Sequence, residues 1–342
     1  MKTVRLGKTG LVVTKLAMGC LPIQRCSTKE AVKILQAAYD GGINYFDTAN
    51  SYTDSEEKIG LALSHVRDKI IISTKSMGKD KKTVAAHIEN SLRMLKTDYI
   101  DLFQFHMPSE IPDPDDKDGP FAAVYEAREK GYIRHIGVTA HRLSLAFEHI
   151  ESGLFETLQY PFSYLSNERE HQLVKKCIEA DMGFIAMKGL AGGLLRNARA
   201  CYAFMARQEG VVPVWGIQSM EELNQWLALA REEPELDEEL TAVIEEDRRQ
   251  LSGSFCRGCG YCMPCPAGIE INNAARMNML LRRSPWRQYF APEWREKMNR
   301  IKDCLNCGRC KSKCPYGLDT PELLKYMLED YNTFYEQHRE EL

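Results

Sequence analysis

The 342-residue chain lacks any apolar run near the roughly 18 residues needed to cross a bilayer. Its opening, MKTVRLGKTG, lacks the apolar core of an export signal. Positive charge is not in excess either: 45 basic against 48 acidic side chains leave −3. These absences argue against a membrane span and against nucleic acid as the main partner. A hydrophobic content of 44% and a charged content of 27% are those of a globular protein, long enough for one large and one small domain. Cysteines without an export signal point to reduced thiols and a cytoplasmic location.

Cysteine is what the chain does have, twelve in all, and eight of them lie in two tight runs. The first is Cys256-Arg-Gly-Cys259-Gly-Tyr-Cys262-Met-Pro-Cys265-Pro266, and the second is Cys304-Leu-Asn-Cys307-Gly-Arg-Cys310-Lys-Ser-Lys-Cys314-Pro315. The second run matches the bacterial ferredoxin spacing for [4Fe–4S] clusters, and the first is one residue shorter in its last gap. Three thiolates this close suit three corners of a cubane, whereas zinc usually draws pairs from separated turns. Two [4Fe–4S] clusters are therefore expected, with zinc or disulfides as the alternatives. Resemblance to the ferredoxin pattern implies crossed ligands: Cys256, Cys259, Cys262 and Cys314 on one cluster, and Cys304, Cys307, Cys310 and Cys265 on the other. Pro266 and Pro315 turn the chain, while Gly258, Gly260 and Gly308 leave backbone N–H groups near the sulfurs. Apolar residues at helical spacing between the runs (Ala274, Met277, Leu280, Leu281) suggest an α-helical module. Cys20, Cys26, Cys177 and Cys201 are scattered and read mainly as buried thiols.

Ahead of residue 235, short apolar runs alternate with amphipathic stretches, as in βα units around a parallel sheet. Strands are expected at 16–20, 43–47, 70–74, 99–106, 133–138, 156–160, 183–187 and 211–215. Helices are expected near 29–40, 56–64, 81–95, 121–130, 143–151, 168–181, 196–209 and 220–231. Eight of each in that order mean a (β/α)8 TIM barrel, with a hairpin over 4–16 closing its floor. The expected domains are the barrel at 1–235, an acidic linker or helix at 236–250, and an α-helical ferredoxin-like domain at 251–342. In that register Asp47, Lys75 and His106 stand at strand ends on the catalytic face, and Tyr52 lies in the loop after Asp47.

Several segments resemble the aldo-keto reductase family. They are Gly42-Ile-Asn-Tyr-Phe-Asp47-Thr-Ala-Asn-Ser-Tyr52, Ser55-Glu56-Glu57-Lys-Ile-Gly60, Ser73-Thr-Lys75, Asp101-Leu-Phe-Gln-Phe-His106 and Lys130-Gly-Tyr-Ile-Arg-His-Ile-Gly137-Val-Thr139. The cysteine-rich tail is similar to that of the family's subgroup with a ferredoxin-like extension. The resemblance implies carbonyl–alcohol interconversion on a small-molecule substrate. Tyr52 would be its acid/base, Lys75 would lower the tyrosine pKa, Asp47 would hold Lys75, and His106 would position the substrate oxygen. Taken singly, the same residues read as a helix-capping acid, a solvated lysine, a core histidine and a loop aromatic.

The resemblance also implies a nicotinamide site at Thr139, Gln159, Met187, Leu190, Gly216, Ile217 and Ser219. Here Ala140 stands where the family carries Asn, and Met187 near where it carries a stacking tyrosine. The stretch from Val212 to Glu222 holds no Lys or Arg for a 2′-phosphate, and Glu221 and Glu222 would oppose one. NAD(H) is therefore favoured over NADP(H), and a flavin is the alternative, because a cluster passes single electrons while hydride carries two. Residues 221–250 carry eleven acidic and three basic side chains, and residues 281–313 ten basic and three acidic. Either these faces are solvated or mutually paired, or the basic one docks an acidic electron carrier of ferredoxin or flavodoxin type. The rival readings of the whole chain are a redox-responsive regulatory protein with a non-turnover barrel and an electron-transfer subunit.

Overall fold

Val, Ile and Phe dominate the short segments that become strands, and each is followed by an amphipathic helix. The computed structural model describes every residue except 252–254, 284, 285, 315 and 342. A hairpin of β1 (Thr3–Arg5) and β2 (Val12–Thr14) precedes the alternating series. There follow β3 (Ala17–Gly19), α1 (Thr28–Asp40), β4 (Tyr45–Asp47), α2 (Ser55–Leu63), β5 (Ile71–Ser76), α3 (Lys81–Leu95), β6 (Ile100–His106) and α4 (Pro120–Glu129). The series continues with β7 (Ile133–Thr139), α5 (Leu143–Ser152), β8 (Thr157–Pro161), α6 (Glu168–Glu179), β9 (Gly183–Met187), α7 (Ala198–Ala206), β10 (Val211–Gly216) and α8 (Met220–Arg231). Strands β3 to β10 pair in parallel and close into a barrel, with β10 beside β3.

Local signals set several boundaries. Ser27 caps α1 and Asn167 caps α6, each in a reciprocal capping box with a glutamate three residues on. Helix α6 ends at Glu179, two residues before the expected position, and Asp181 there turns left-handed at φ 48°. The opening hairpin packs Leu6 and Val13 against Ala17, Tyr45, Leu102, Ile185 and Val212, a buried apolar cluster at the barrel floor. Gly7 makes this possible: it sits at φ +54°, and a Cβ on it would fall 2.2 Å from the Gly183 nitrogen.

Contacts divide the chain into two units, Met1–Gly189 with Arg199–Leu240, and Leu190–Ala198 with Thr241–Leu342. The acidic stretch after α8 is not a loose linker, since Glu238–Gln250 forms a helix, α9. The second unit continues with α10 (Ile271–Ala274), α11 (Met277–Arg283), α12 (Pro292–Asn299), α13 (Arg309–Ser312) and α14 (Thr320–His338). Ala274, Met277, Leu280 and Leu281 are all buried in its core, against Phe290, Met298, Leu324 and Met327 among others. No helix among the described residues is long and apolar enough to cross a membrane.

Candidate functional site

Parallel pairing puts the ends of β4, β5 and β6 side by side at one rim of the barrel, with Asp47 opposite Ser73 and Lys75 opposite Gln104. Both carboxylate oxygens of Asp47 accept from Lys75 Nζ at 2.7 Å, and the same ammonium donates to the Thr48 carbonyl at 2.5 Å. The pair is almost dry: Asp47 is 4% exposed and Lys75 2%. Burying two charges is tolerable only when their remaining hydrogen-bonding capacity is used. Asp47 meets that condition by also accepting from Ser73 Oγ at 2.6 Å, Gln104 Nε2 at 3.3 Å and Gln159 Nε2 at 3.2 Å. The Tyr45 hydroxyl in turn steadies Ser73 from 3.0 Å.

Tyr52 lies beside this pair, its ring centroid 5.5 Å from Lys75 Nζ. Its ring meets that of His106 edge-on, with centroids 5.9 Å apart. The four side chains named from the sequence therefore come together at one rim. Ser51 Oγ is 3.5 Å from His106 Nδ1. The loop beneath them is pinned from below: Ser55 Oγ donates to the Cys20 carbonyl at 2.8 Å, and the buried Lys58 ammonium donates to the carbonyls of Ile23 and Cys26. Glu56 accepts from Thr74 Oγ1 at 2.5 Å, and burial raises its carboxyl pKa.

The electrostatics differ in one respect from expectation. Burial raises the Tyr52 pKa above its ordinary value; Lys75 pulls it down, but Asp47 pushes it up again. The ammonium is bound to its own carboxylate, so the phenol feels much less than a whole positive charge. The expectation of a lowered tyrosine pKa is corrected accordingly. Burial, then Lys75, lowers His106 to about 4, so its ring is neutral near pH 7.

The residues named for a nicotinamide are distributed as follows. Thr139 ends β7 and accepts from the Met107 backbone N–H at 3.0 Å. Gln159, on β8, donates to Asp47 and accepts from Gln104 at 3.1 Å, so both ends of its carboxamide are engaged within the barrel. Met187 ends β9, Gly216 ends β10, and Ile217 is buried. Ser219 caps α8, accepting from the Glu222 N–H at 3.1 Å, while the Glu222 carboxylate accepts from the Gln218 N–H at 2.8 Å. Leu190 falls with the second unit. Arg25 reaches Gln218 Oε1 at 3.4 Å, a cation that the Val212–Glu222 stretch alone does not reveal.

In the second unit the thiols line two cavities. One is lined by Cys256, Cys259, Cys262 and Cys314. The other is lined by Cys262, Cys265, Cys304, Cys307 and Cys310. Each draws cysteines from both runs. No carboxylate or imidazole lines either cavity, and among the described residues no three His, Cys, Asp or Glu side chains converge on a single-ion site. Gly258, at φ +63°, directs its N–H to Cys256 Sγ at 3.4 Å. The turn expected at Pro315 lies outside the described residues. Of the scattered cysteines, Cys20, Cys177 and Cys201 are buried and Cys26 is half-buried.

A profile described as the Aldo/keto reductase family matches residues 15–201. The chain belongs to that family. A second profile, described as a 4Fe-4S dicluster domain, matches residues 255–319. Among curated relatives of this aldo/keto reductase, the uncharacterized oxidoreductase YqkF of Bacillus subtilis is 29% identical over 209 residues, covering 57% of this chain and 67% of its own. The aldo-keto reductase AFTS1 of Alternaria alternata is 28% identical over 243 residues, covering 56% and 65%. The match thus spans about two thirds of the length of these relatives. An aldo-keto reductase of Klebsiella pneumoniae solved in complex with NADPH superposes with a TM-score of 0.61 at 24% identity, over 72% of this chain and 94% of its own. The holo form of an aldo-keto reductase from Bacillus halodurans gives 0.61 at 23% identity, over 72% and 96%. These likenesses carry the barrel fold of the aldo/keto reductase region.

The depressed histidine yields a direct test. His106 should titrate by NMR with a midpoint about 4, and Lys75→Met should move that midpoint upward by removing a neighbouring positive charge. A wild-type midpoint near the ordinary histidine value of about 6.5 would contradict the buried geometry.

Proposed function

We propose that this aldo/keto reductase is an iron–sulfur oxidoreductase that interconverts a carbonyl and an alcohol at Tyr52, Lys75, His106 and Asp47. We also propose that its eight C-terminal cysteines hold two [4Fe–4S] clusters. The observation that carries the first part is the buried Asp47–Lys75 pair beside a phenol and a neutral imidazole. Carbonyl reduction needs a hydride on carbon and a proton on oxygen. With its raised pKa, Tyr52 is protonated at neutral pH and can give that proton. His106, neutral over the same range, donates through the ring nitrogen that does not face Ser51 and steadies the charge developing on the substrate oxygen. Lys75 is held where it limits the cost of the phenolate left behind. In the reverse direction Tyr52 must start as phenolate, so alcohol oxidation gains as pH rises towards its pKa, whereas reduction does not.

The thiols fit the clusters. Soft sulfur donors with no carboxylate or imidazole competitor line two separate cavities. The mixed lining supports the crossed assignment of Cys256, Cys259, Cys262 and Cys314 to one cluster, and of Cys265, Cys304, Cys307 and Cys310 to the other. When bound, such clusters supply one-electron transfer.

A nicotinamide fits less completely. Thr139 and Gln159 are already hydrogen-bonded within the barrel, and Glu222 occupies the N–H of Gln218 just ahead of α8. That carboxylate opposes a 2′-phosphate, and the exposed Arg25 offsets it only from across the loop. NADH is favoured over NADPH on this ground.

Tyr52→Phe should abolish carbonyl turnover while leaving the melting profile and iron content unchanged, because it removes one oxygen and almost no volume. Retained turnover would require another acid and would favour a different site. Anaerobic protein should contain about eight iron and eight sulfide per chain. Cys314→Ser should damage the site of the first run and Cys265→Ser that of the second, as read by EPR. One zinc per run in place of iron would refute the assignment. In anaerobic titrations NADH should bind at least as tightly as NADPH, and a tenfold preference for NADPH, about 1.4 kcal/mol, would show that Arg25 outweighs Glu222.

A further inference from the structure

Four cations of the basic stretch are neutralised by close ion pairs. Arg282 pairs with Asp330, Lys297 with Glu270 and Glu293, Arg300 with Glu296, and Lys311 with Asp319, all at 2.6–3.2 Å. Lys302, Arg309 and Lys313 are exposed and have no ion pair among the described residues. Lys302 precedes the second cysteine run, and Arg309 and Lys313 lie within it. Arg309 and Lys313 are four residues apart, at the start of α13 and just past its end, and so share a helical face. Among them stands Leu305, 68% exposed, the most exposed of the large hydrophobic residues described. Leu305 and Arg309 line the same cavity as Cys304, Cys307 and Cys310, and Cys307 is the one cysteine of the twelve that is exposed.

A lone exposed leucine is ordinary. An exposed leucine that lines one cavity with an exposed thiol and Arg309, in a stretch whose Lys302 and Lys313 are also exposed, has the composition of an interface. We infer that this face receives a small acidic protein carrying a one-electron centre, which delivers electrons to the cluster held by Cys265, Cys304, Cys307 and Cys310. The inference rests on the proposed cluster assignment and deepens it by locating the port. The unpaired cations select an acidic partner and steer its approach; Leu305 supplies the apolar contact, and Cys307 brings the cluster edge to the surface. In each encounter the carrier is oxidised by one electron and the cluster is reduced by one. A symmetric contact with a second copy would set these cations against themselves.

The test uses the anaerobic full-length protein and, as probe, a purified acidic bacterial ferredoxin reduced beforehand. Stopped-flow reduction should be fast at low salt and slow as sodium chloride is added. The charge-reversal variant K302E/K313E, which leaves the cavity-lining Arg309 in place, should react at least about tenfold more slowly and lose most of that salt dependence. Carbodiimide cross-links between the two proteins should map to Lys302 or Lys313 of the wild type. Iron content and photoreduction by neutral deazariboflavin should be the same in both proteins, showing that the variant still folds and holds its clusters. An iron-loaded protein whose rate and cross-links ignore the two substitutions overturns this inference alone, as does sedimentation showing that the face binds a second copy. A protein that holds no iron overturns the cluster assignment as well.

Discussion

The buried ion pair of Asp47 and Lys75 constrains everything around it. Two charges in the barrel interior cannot be left partly satisfied, since removing one partner of such a pair costs about 3–5 kcal/mol. Meeting that demand recruits Ser73, Gln104 and Gln159 from three further positions of the sheet and the Thr48 carbonyl from the loop. The register of four strands and the path of the chain into Tyr52 are thereby tied to one carboxylate. Because the pair neutralises itself, its neighbours respond mainly to desolvation, and for that reason Tyr52 stays a phenol and His106 stays neutral.

The strands and helices of the barrel were readable because apolar runs of strand length alternate with helical periodicity, and caps such as Ser27 mark where helices begin. Asp47, Lys75 and His106 were readable because polar residues at the ends of apolar strands are conspicuous. The layer beneath them was not. Ser73, Gln104 and Lys58 look like ordinary polar residues until the sheet closes, since their partners lie 26, 57 and 35 positions away. The sign of the tyrosine shift was hidden for the same reason, because it depends on how completely Asp47 claims the ammonium. Gln159 was found as a position, but its engagement by Asp47 and Gln104 follows only from the packed interior.

In the cysteine-rich unit spacing alone carried the chemistry, since thiols two residues apart have few uses. Spacing does not say which thiol faces solvent or which cations lack partners. The second depends on where the acids fall once the chain folds, as when Asp319, at the start of α14, takes Lys311, while Arg309 and Lys313 have no ion pair among the described residues.

The interleaved lining of the two cavities has a consequence for how the protein is made. Cys265 belongs to the first run but lines the second cavity, and Cys314 belongs to the second run but lines the first. The second cavity lacks its full set of thiols until the ribosome has passed residue 310, and the first until it has passed residue 314. Clusters held by these thiols would therefore not be loaded run by run as the chain emerges. The first cavity waits with three of its four thiols until Cys314 is made, so that both sites would be completed late and close together in time.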